Sequence, residues 1–224
     1  QRYHGVVWCA LGWACWKTYL GRPESDWARR AAMEQLGLGL SAADNDVEAL
    51  SVKEAELSME RRLGTVPGKM LAMQSNLASS YYVLGRHEQA VLMRQEIYSG
   101  YLKLHGKQHE HTVVAANNYA ATLKDLRRYE EAKALLRQSM PVARRLLGES
   151  HELTLRMNWN YAWALYMADG AKLRELREAV ATLEDTERTA RRVLGGTHPL
   201  TVGIEGALRE AWALLRAHET PPAG

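Results

Sequence analysis

A repeat of about 42 residues constrains this chain more than any other feature, because the period of a repeat decides the fold class. Gly64, Gly106 and Gly148 follow one another in steps of 42 residues, and Gly195 follows after 47. An asparagine and two alanines recur at the same offsets: Asn76, Asn118 and Asn160; Ala78, Ala120 and Ala162; Ala90, Ala132 and Ala179. The extra residues of the last step lie around residues 169–172, where a turn between two helices tolerates insertion.

Each repeat unit is predicted to form two helices, A and B. In the central unit, helix A runs from about Glu110 to Leu126 and helix B from about Glu130 to Leu147. Small residues at 120 and 132 allow these two helices to approach closely. A glycine follows the apolar end of each helix B, which is the usual place for a left-handed C-terminal cap.

Three recurring segments carry a resemblance to a known family. They are Asn-(Leu/Tyr)-Ala, then Gly-Arg-His-Glu-Gln-Ala or Arg-Tyr-Glu-Glu-Ala, then Leu-Gly-x-x-His-(Pro/Glu)-x-Thr. Together they resemble tetratricopeptide repeats (TPR), and more narrowly the 42-residue kinesin-light-chain-like variety. The resemblance covers about residues 47–217 and fits the first 45 residues poorly. It implies an all-α fold, a right-handed TPR-type superhelix that forms a solenoid of antiparallel helix pairs.

The repeat pattern also predicts how the chain is organised. Residues 1–63 are predicted to form degenerate N-terminal helices packed on the array, among them a helix A from about Asp26 to Leu38. Residues 64–194 are predicted to form three kinesin-light-chain-like units. Residues 195–217 are predicted to form a C-terminal capping helix, because a lone last helix covers the apolar end of a solenoid. Residues 218–224 are predicted to be a flexible tail.

Composition narrows the classes of function. The net charge of +3 is mild, and the arginines are spread over the helix B segments, which argues against a nucleic-acid-binding stripe. The most apolar stretch, residues 5–16, is too short to span a bilayer. The two cysteines, Cys9 and Cys15, are too few for a disulfide framework. We therefore expect a reducing intracellular compartment, the cytoplasm or an organelle interior, with any targeting peptide not visible before Gln1.

The resemblance implies that the A helices line a concave groove. The predicted peptide-binding residues are Asn76, Ser79, Tyr82, Asn117, Asn118, Lys124, Arg156, Trp159, Asn160, Trp163 and Tyr166. The repeated asparagines would offer amide donors and acceptors to a bound peptide backbone. The aromatic residues and Arg156 would select the partner's side chains. In an alternative interpretation, the asparagines bond to neighbouring helices and the tryptophans fill the groove themselves.

Three more specific activities find little support. Chaperone-binding members of the family hold a C-terminal carboxylate with asparagines and basic residues, but the positions that correspond to Arg156 hold Ala72 and Val114 in the earlier units. No nucleophile elbow, phosphate loop, dinucleotide fingerprint or zinc-protease helix is present in the sequence, so no enzyme activity and no cofactor are predicted. His105, His109 and His111 could hold a metal, but His109 recurs as His151 and His198, which indicates a structural role at the junctions.

The sequence therefore predicts a non-catalytic scaffold or adaptor that binds a peptide or a partner helix in its concave groove. An alternative is a permanent subunit of a large complex, which binds through its outer surface and the Trp-rich N-terminal helix at residues 5–20. That helix is otherwise expected to pack on its neighbours as an N-terminal cap. A second alternative is an enzyme whose site lies in the degenerate N-terminal region.

Overall fold

The computed structural model describes residues 2–219 of the chain, and side chains from residue 4 onward. The described residues form ten α-helices and no strand. The helices are α1 (Arg2–Tyr19), α2 (Trp27–Ala42), α3 (Asp46–Arg62), α4 (Pro67–Val83), α5 (His87–His105), α6 (Glu110–Asp125), α7 (Tyr129–Leu147), α8 (Glu152–Tyr166), α9 (Leu173–Leu194) and α10 (Pro199–Glu219). The all-α prediction is confirmed.

The chain divides into two compact units, Gln1–Gly100 and Tyr101–Gly224, with the boundary inside α5. In the first unit, α1 packs on α2, α2 on α3 and α3 on α4. The core is made of leucines from successive helices, including Leu36 and Leu40 of α2 and Leu50 and Leu57 of α3. Met93 of α5 packs against the cluster that Leu50 and Leu57 form with Leu77 of α4.

Glycines let α1 and α2 approach to backbone contact. A Cβ atom added to Gly12 would lie 2.9 Å from the Cα of Leu36, and one added to Gly39 would lie 2.7 Å from the carbonyl oxygen of Trp8. Any larger residue at these positions would push the two helices apart. The outward side of α1 remains exposed and apolar, with Val6, Leu11 and Trp13 all more than 40% exposed.

In the second unit, each helix from α6 to α10 contacts the next one, and α8 also contacts α6 and α10. One continuous core joins them, because Ala120 of α6, Leu136 of α7 and Leu165 of α8 are fully buried. Ile204 of α10 lies in the same core. The predicted close approach at Ala120 and Ala132 is confirmed, since both alanines have no exposed surface.

The junctions between repeats use the same local chemistry each time. Gly64, Gly106, Gly148 and Gly195 all have left-handed φ angles between 69° and 89°, which an L-residue rarely adopts. The histidine that follows three of these glycines caps the next helix: Nδ1 of His151 accepts from the backbone N–H of Leu153 at 3.2 Å. His109 and His198 do the same at 3.2 and 3.3 Å, so the predicted junction role of this histidine column is confirmed.

The helix boundaries agree with the sequence within a few residues at most positions. The extra residues of the last step are shared between a longer turn and a longer helix: residues 167–172 connect α8 to α9, where Gly170 has a φ of 71°, and α9 has 22 residues against 19 in α7. Helix α10 begins at Pro199 and runs to Glu219, two residues beyond the predicted capping helix. Residues 220–224 of the predicted tail lie outside the described residues. The division into residues 1–63, 64–194 and 195–217 stays a prediction.

Candidate functional site

The predicted groove residues of the second unit lie on α6 and α8, two A helices that contact each other. We call them the α6–α8 face: Asn117, Asn118, Lys124, Arg156, Trp159, Asn160, Trp163 and Tyr166. Because α6 and α8 are the A helices of successive repeats, they run in the same direction, and equivalent positions lie side by side where the two helices touch. The structure therefore brings these eight residues onto two neighbouring helices, as the repeat pattern predicts.

Two of the asparagines are used to join the helices. The Asn160 amide nitrogen donates to the side-chain oxygen of Asn117 at 3.2 Å, and only 9% of Asn160 is exposed. Asn117 in turn donates to the side-chain oxygen of Asn118 at 3.4 Å. Buried amides need such partners, because an unpaired one costs free energy. Asn118 is half-buried and keeps the largest exposed fraction of the three.

Lys124 and two tryptophans form the centre of the α6–α8 face. The Lys124 ammonium lies 4.7 Å from the ring centroid of Trp163 and 6.0 Å from that of Trp159. The two indole rings meet edge to face at 6.2 Å. A cation at this distance from an aromatic ring is attracted to its electron-rich face. Lys124 also lies 3.6 Å from Asp125, and 17% of its side chain is exposed. The face therefore presents a lysine, paired with Asp125, against an aromatic surface.

Tyr166 and Trp159 also contact α10. The Tyr166 hydroxyl donates to Glu210 at 3.1 Å, and only 3% of the tyrosine is exposed. Burial, together with the charge of Glu210, raises the pKa of this phenol well above its usual range. A Cβ atom added to Gly203 would lie 2.6 Å from the Trp159 ring, so α10 covers one edge of this indole. Tyr166 has little surface left to offer a partner.

Arg156 lies at the exposed end of the α6–α8 face. It forms an ion pair with Glu152 one turn earlier, with Nη2 at 2.5 Å from the carboxylate. Both side chains are about half exposed. An exposed pair of this kind contributes little to stability. A partner carboxylate could therefore replace Glu152 at small cost.

The predicted residues of the first unit lie on α4. Asn76 and Ser79 are exposed, and the Ser79 hydroxyl donates to the backbone carbonyl of Ser75 at 3.0 Å. The Tyr82 ring is half-buried: the Arg94 guanidinium lies 4.8 Å above it, and His87 meets it edge to face at 5.1 Å. Asn76 is thus the most accessible of the predicted amide groups.

The histidine cluster near residue 106 is a stack of rings. The ring centroids of His105 and His109 lie 4.1 Å apart, and the two rings are close to parallel. The ring centroid of His111 lies 5.1 Å from that of His109. Within residues 2–219, no three His, Cys, Asp or Glu side chains are placed to hold a metal ion. The same residues contain no helix that is long and apolar enough to cross a membrane.

Sequence reasoning missed two features of the α6–α8 face. It assigned Lys124 and both tryptophans to this face but gave no sign that the ammonium would lie over the rings. It also missed the buried Trp159 Nε1, which has no hydrogen-bond partner in the described part of the chain. Both depend on side-chain rotamers, which the repeat spacing does not specify.

Comparisons with known proteins agree with this fold. Residues 69–141 and 112–172 match the family model for the tetratricopeptide repeat. The chain is similar to a solved structure of a candidate kinesin light chain from Podosopora anserina, which has nearly identical TPR-like repeats. The two are 20% identical, and the similarity covers 89% of this chain and 90% of that one, with a TM-score of 0.69. A substituted form of that protein is 21% identical to the chain. The similarity covers 85% of this chain and 88% of that one, with a TM-score of 0.70.

A third solved structure, BtubC (BKLC) from P. vanneervenii, is 15% identical to the chain. The similarity covers 100% of this chain and 94% of that one, with a TM-score of 0.61. No curated protein matches the sequence. At these identities the structural similarities define the fold.

Proposed function

Tetratricopeptide repeats form residues 69–172 of this chain, and we propose that it is therefore a non-catalytic scaffold or adaptor for protein–protein interaction. The fold is typically an interaction module, and function in such a fold resides in the site that it presents. The proposed ligand is an extended peptide or a helix of a partner protein, bound along the A helices. In the second unit the binding surface is the α6–α8 face.

The observation that carries this proposal is the partial exposure of Asn118, Lys124 and Trp163 on one face. Tryptophan and basic side chains are common energetic anchors in protein interfaces. The half-buried Asn118 amide is suited to a peptide backbone, which needs a donor and an acceptor at each residue. The Lys124 ammonium is suited to an acidic side chain, because the rings of Trp159 and Trp163 hold it in place.

The test begins with a pull-down and mass spectrometry to identify a partner, followed by calorimetric titration of that partner. Asn118→Ala and Trp163→Ala are each expected to weaken binding by about 1 kcal/mol or more. Asn158→Ala is the matched control, because Asn158 lies on α8 and bonds instead to Arg144 at 3.3 Å. Circular dichroism would check that each variant folds. Unchanged affinity in both variants would count against the α6–α8 face.

A second candidate function rests on the apolar outer side of α1. Val6, Val7, Trp8 and Leu11 are 52–62% exposed, and Trp27 at the start of α2 is 76% exposed. Contiguous exposed apolar residues are typical of interaction surfaces. In this alternative the chain is a structural subunit of a larger complex. Stoichiometric co-purification at high salt, lost in a Trp8→Ser/Leu11→Ser variant, would favour it, whereas salt-sensitive binding would favour the adaptor.

We also propose a reducing compartment for the protein. Cys9 and Cys15 are both free thiols, and Cys15 is exposed rather than buried. An exposed thiol persists where the surroundings keep it reduced.

A further inference from the structure

A small pocket lies between α2, α3 and α4 in the first unit. It is lined by two residues from each helix: Glu34 and Leu38, Lys53 and Glu56, Met73 and Asn76. One of these is Asn76, the exposed asparagine of the repeat column. The pocket has a volume of about 10 Å³. That is room for one group of the size of a water molecule.

The Glu56 carboxyl group at this pocket is buried and has no bonded partner. Only 6% of Glu56 is exposed, and no hydrogen bond or ion pair between residues 2 and 219 holds its carboxylate. Glu60, one turn later, is fully buried but is bonded by Arg30, Thr65 and Lys69. A buried carboxylate without a partner is costly. Glu56 therefore lacks the hydrogen-bonded cations that its neighbour has, although the charges of Lys69 and Lys53 act on it.

The nearby lysines are engaged elsewhere. The Lys53 ammonium donates to the hydroxyls of Ser41 and Ser80 at 2.7 and 2.8 Å. The Lys69 ammonium lies 3.3 Å from Glu60. Burial raises the pKa of Glu56 to about 7, and the charges of Glu34 and Glu60 add to the effect, while Lys69 and Lys53 oppose it. The pocket thus combines the buried Glu56 carboxyl group, a second carboxylate at its rim and one cation, Lys53, whose ammonium is bonded to two hydroxyls.

We propose that this pocket is a subsite for a primary ammonium group, supplied by a lysine of the bound partner segment. Glu56 and Glu34 would share the positive charge, and the Asn76 side-chain oxygen would accept a third hydrogen bond. The pocket volume selects the compact ammonium head over the larger planar guanidinium of arginine. This inference rests on the proposed function, since it places a lysine of the partner on the A-helix side of the first unit.

The test titrates the full chain with methylammonium chloride at pH 8. Binding is detected by NMR. Saturable shifts are expected at the Glu56 carboxyl carbon and the Asn76 side-chain amide. Tetramethylammonium chloride at the same ionic strength is the control, because it carries the same charge but has no N–H donors and is too large for the pocket. At pH 5, where Glu56 is protonated, methylammonium binding should weaken.

Glu56→Gln is expected to weaken methylammonium binding about tenfold, since it removes the charge at nearly constant shape. Glu34→Gln, at the rim, should weaken it less, and Glu48→Gln, on the exposed side of α3, should leave it unchanged. Equal shifts with both ammonium salts, or binding that Glu56→Gln leaves intact, would overturn the proposal. Such a failure is distinct from failure of the scaffold function, because partner binding through Asn118 and Trp163 is measured on residues of the other unit.

Discussion

Two carboxyl groups one turn apart on α3 have opposite surroundings. Burial pushes the pKa of Glu60 upward, but hydrogen bonds from Arg30, Thr65 and Lys69 outweigh this effect and lower the pKa to about 2. Burial raises the pKa of Glu56 to about 7, with the charges of Glu34 and Glu60 adding to it. Glu60 therefore stabilises the fold when ionised, whereas ionised Glu56 destabilises it.

The pH dependence of stability should reveal Glu56. An unfolded glutamate titrates near 4.5, so folding favours the protonated form of Glu56 between about pH 4.5 and pH 7. Its stabilising effect is complete below pH 4.5 and is lost as the pH rises through 7. The difference between the folded and unfolded pKa values of Glu56 corresponds to about 3 kcal/mol in the free energy of unfolding. In urea unfolding, Glu56→Gln should be more stable than the wild type at pH 8, with a smaller difference in its favour at pH 5.

The control for this prediction is Glu60→Gln. It removes the charge that Arg30 and Lys69 pair with, so it should destabilise the protein at both pH values. A wild-type protein and a Glu56→Gln variant that respond alike from pH 5 to pH 8 would contradict the pKa shift.

Among single residues, the sequence predicted best those positions that repeat for a backbone reason. The glycines and the histidines at 109, 151 and 198 recur because each junction needs a left-handed turn and a cap. The asparagine column was less informative. It recurs too, but Asn160 is bonded to Asn117, the residue next to the column, and Asn76 is exposed. A repeated residue type predicts where a side chain lies on its helix. Its hydrogen bonds depend on the residues around it, which differ from repeat to repeat.

Between helices, several bonds span one repeat period. Lys133 of α7 lies 2.7 Å from Glu175 of α9, which is 42 residues later. The Asn160–Asn117 bond spans 43 residues and joins α6 to α8. Each bond connects a helix to its counterpart in the next repeat. Neighbouring repeats are therefore held by polar contacts as well as by their shared apolar core.

The crossing of α1 and α2 should depend on its glycines. Gly39→Val is expected to destabilise the protein by about 2 kcal/mol, because the new side chain would meet the backbone of Trp8 and Cys9. The lost free energy would be measured by urea unfolding. Gly206→Ala in α10 is the matched control: nothing lies within 4 Å of its added Cβ atom, so this variant should be neutral or slightly more stable. Equal stability of Gly39→Val and wild type would show that the crossing is looser than described.

The same glycines explain where the helix prediction differed from the structure. The pattern ended α2 at about Leu38, but the helix continues to Ala42 through Gly39. Glycine weakens an isolated helix. Here the loss is offset because its missing side chain admits α1. Packing against another element is not visible in local sequence, whereas the boundaries of α6 and α7 followed from the period alone.

Helix α10 is the last helix of the described residues, and no further helix follows it within residues 2–219. Helix α10 contacts α8 and α9, and its buried side includes Leu200, Ile204 and Leu215. This arrangement covers an apolar surface that would otherwise face water. The C-terminal helix is thus part of the core of the second unit.

Two substitutions on α10 separate its two sides. Ile204 has no exposed surface, and Ile204→Ala is expected to cost about 3 kcal/mol by leaving a cavity. Val202 is 50% exposed, and Val202→Ala should change the stability by less than about 0.5 kcal/mol. Thermal unfolding followed by circular dichroism would measure both. A small loss for Ile204→Ala would mean that α10 adds little to the second unit.

The candidate site was predictable in outline from the whole repeat pattern. The pattern placed Lys124, Trp159 and Trp163 on the same side, and the structure puts them in contact. It did not predict that α10 would cover Tyr166 and an edge of Trp159, because α10 contributes residues from outside the matched repeats. The Glu56 pocket was also missed, since its carboxyl group comes from a B helix of the degenerate N-terminal region.

The left-handed glycines that follow the B helices have a consequence for how such a chain grows. Gly106, Gly148 and Gly195 return the backbone to nearly the same φ angle after every helix pair. A gene segment copied from one of these codons to the next would join its duplicate through a connection that already exists. Such a protein can be lengthened by whole helix pairs in tandem, and each new copy would bring another stretch of surface free to diverge.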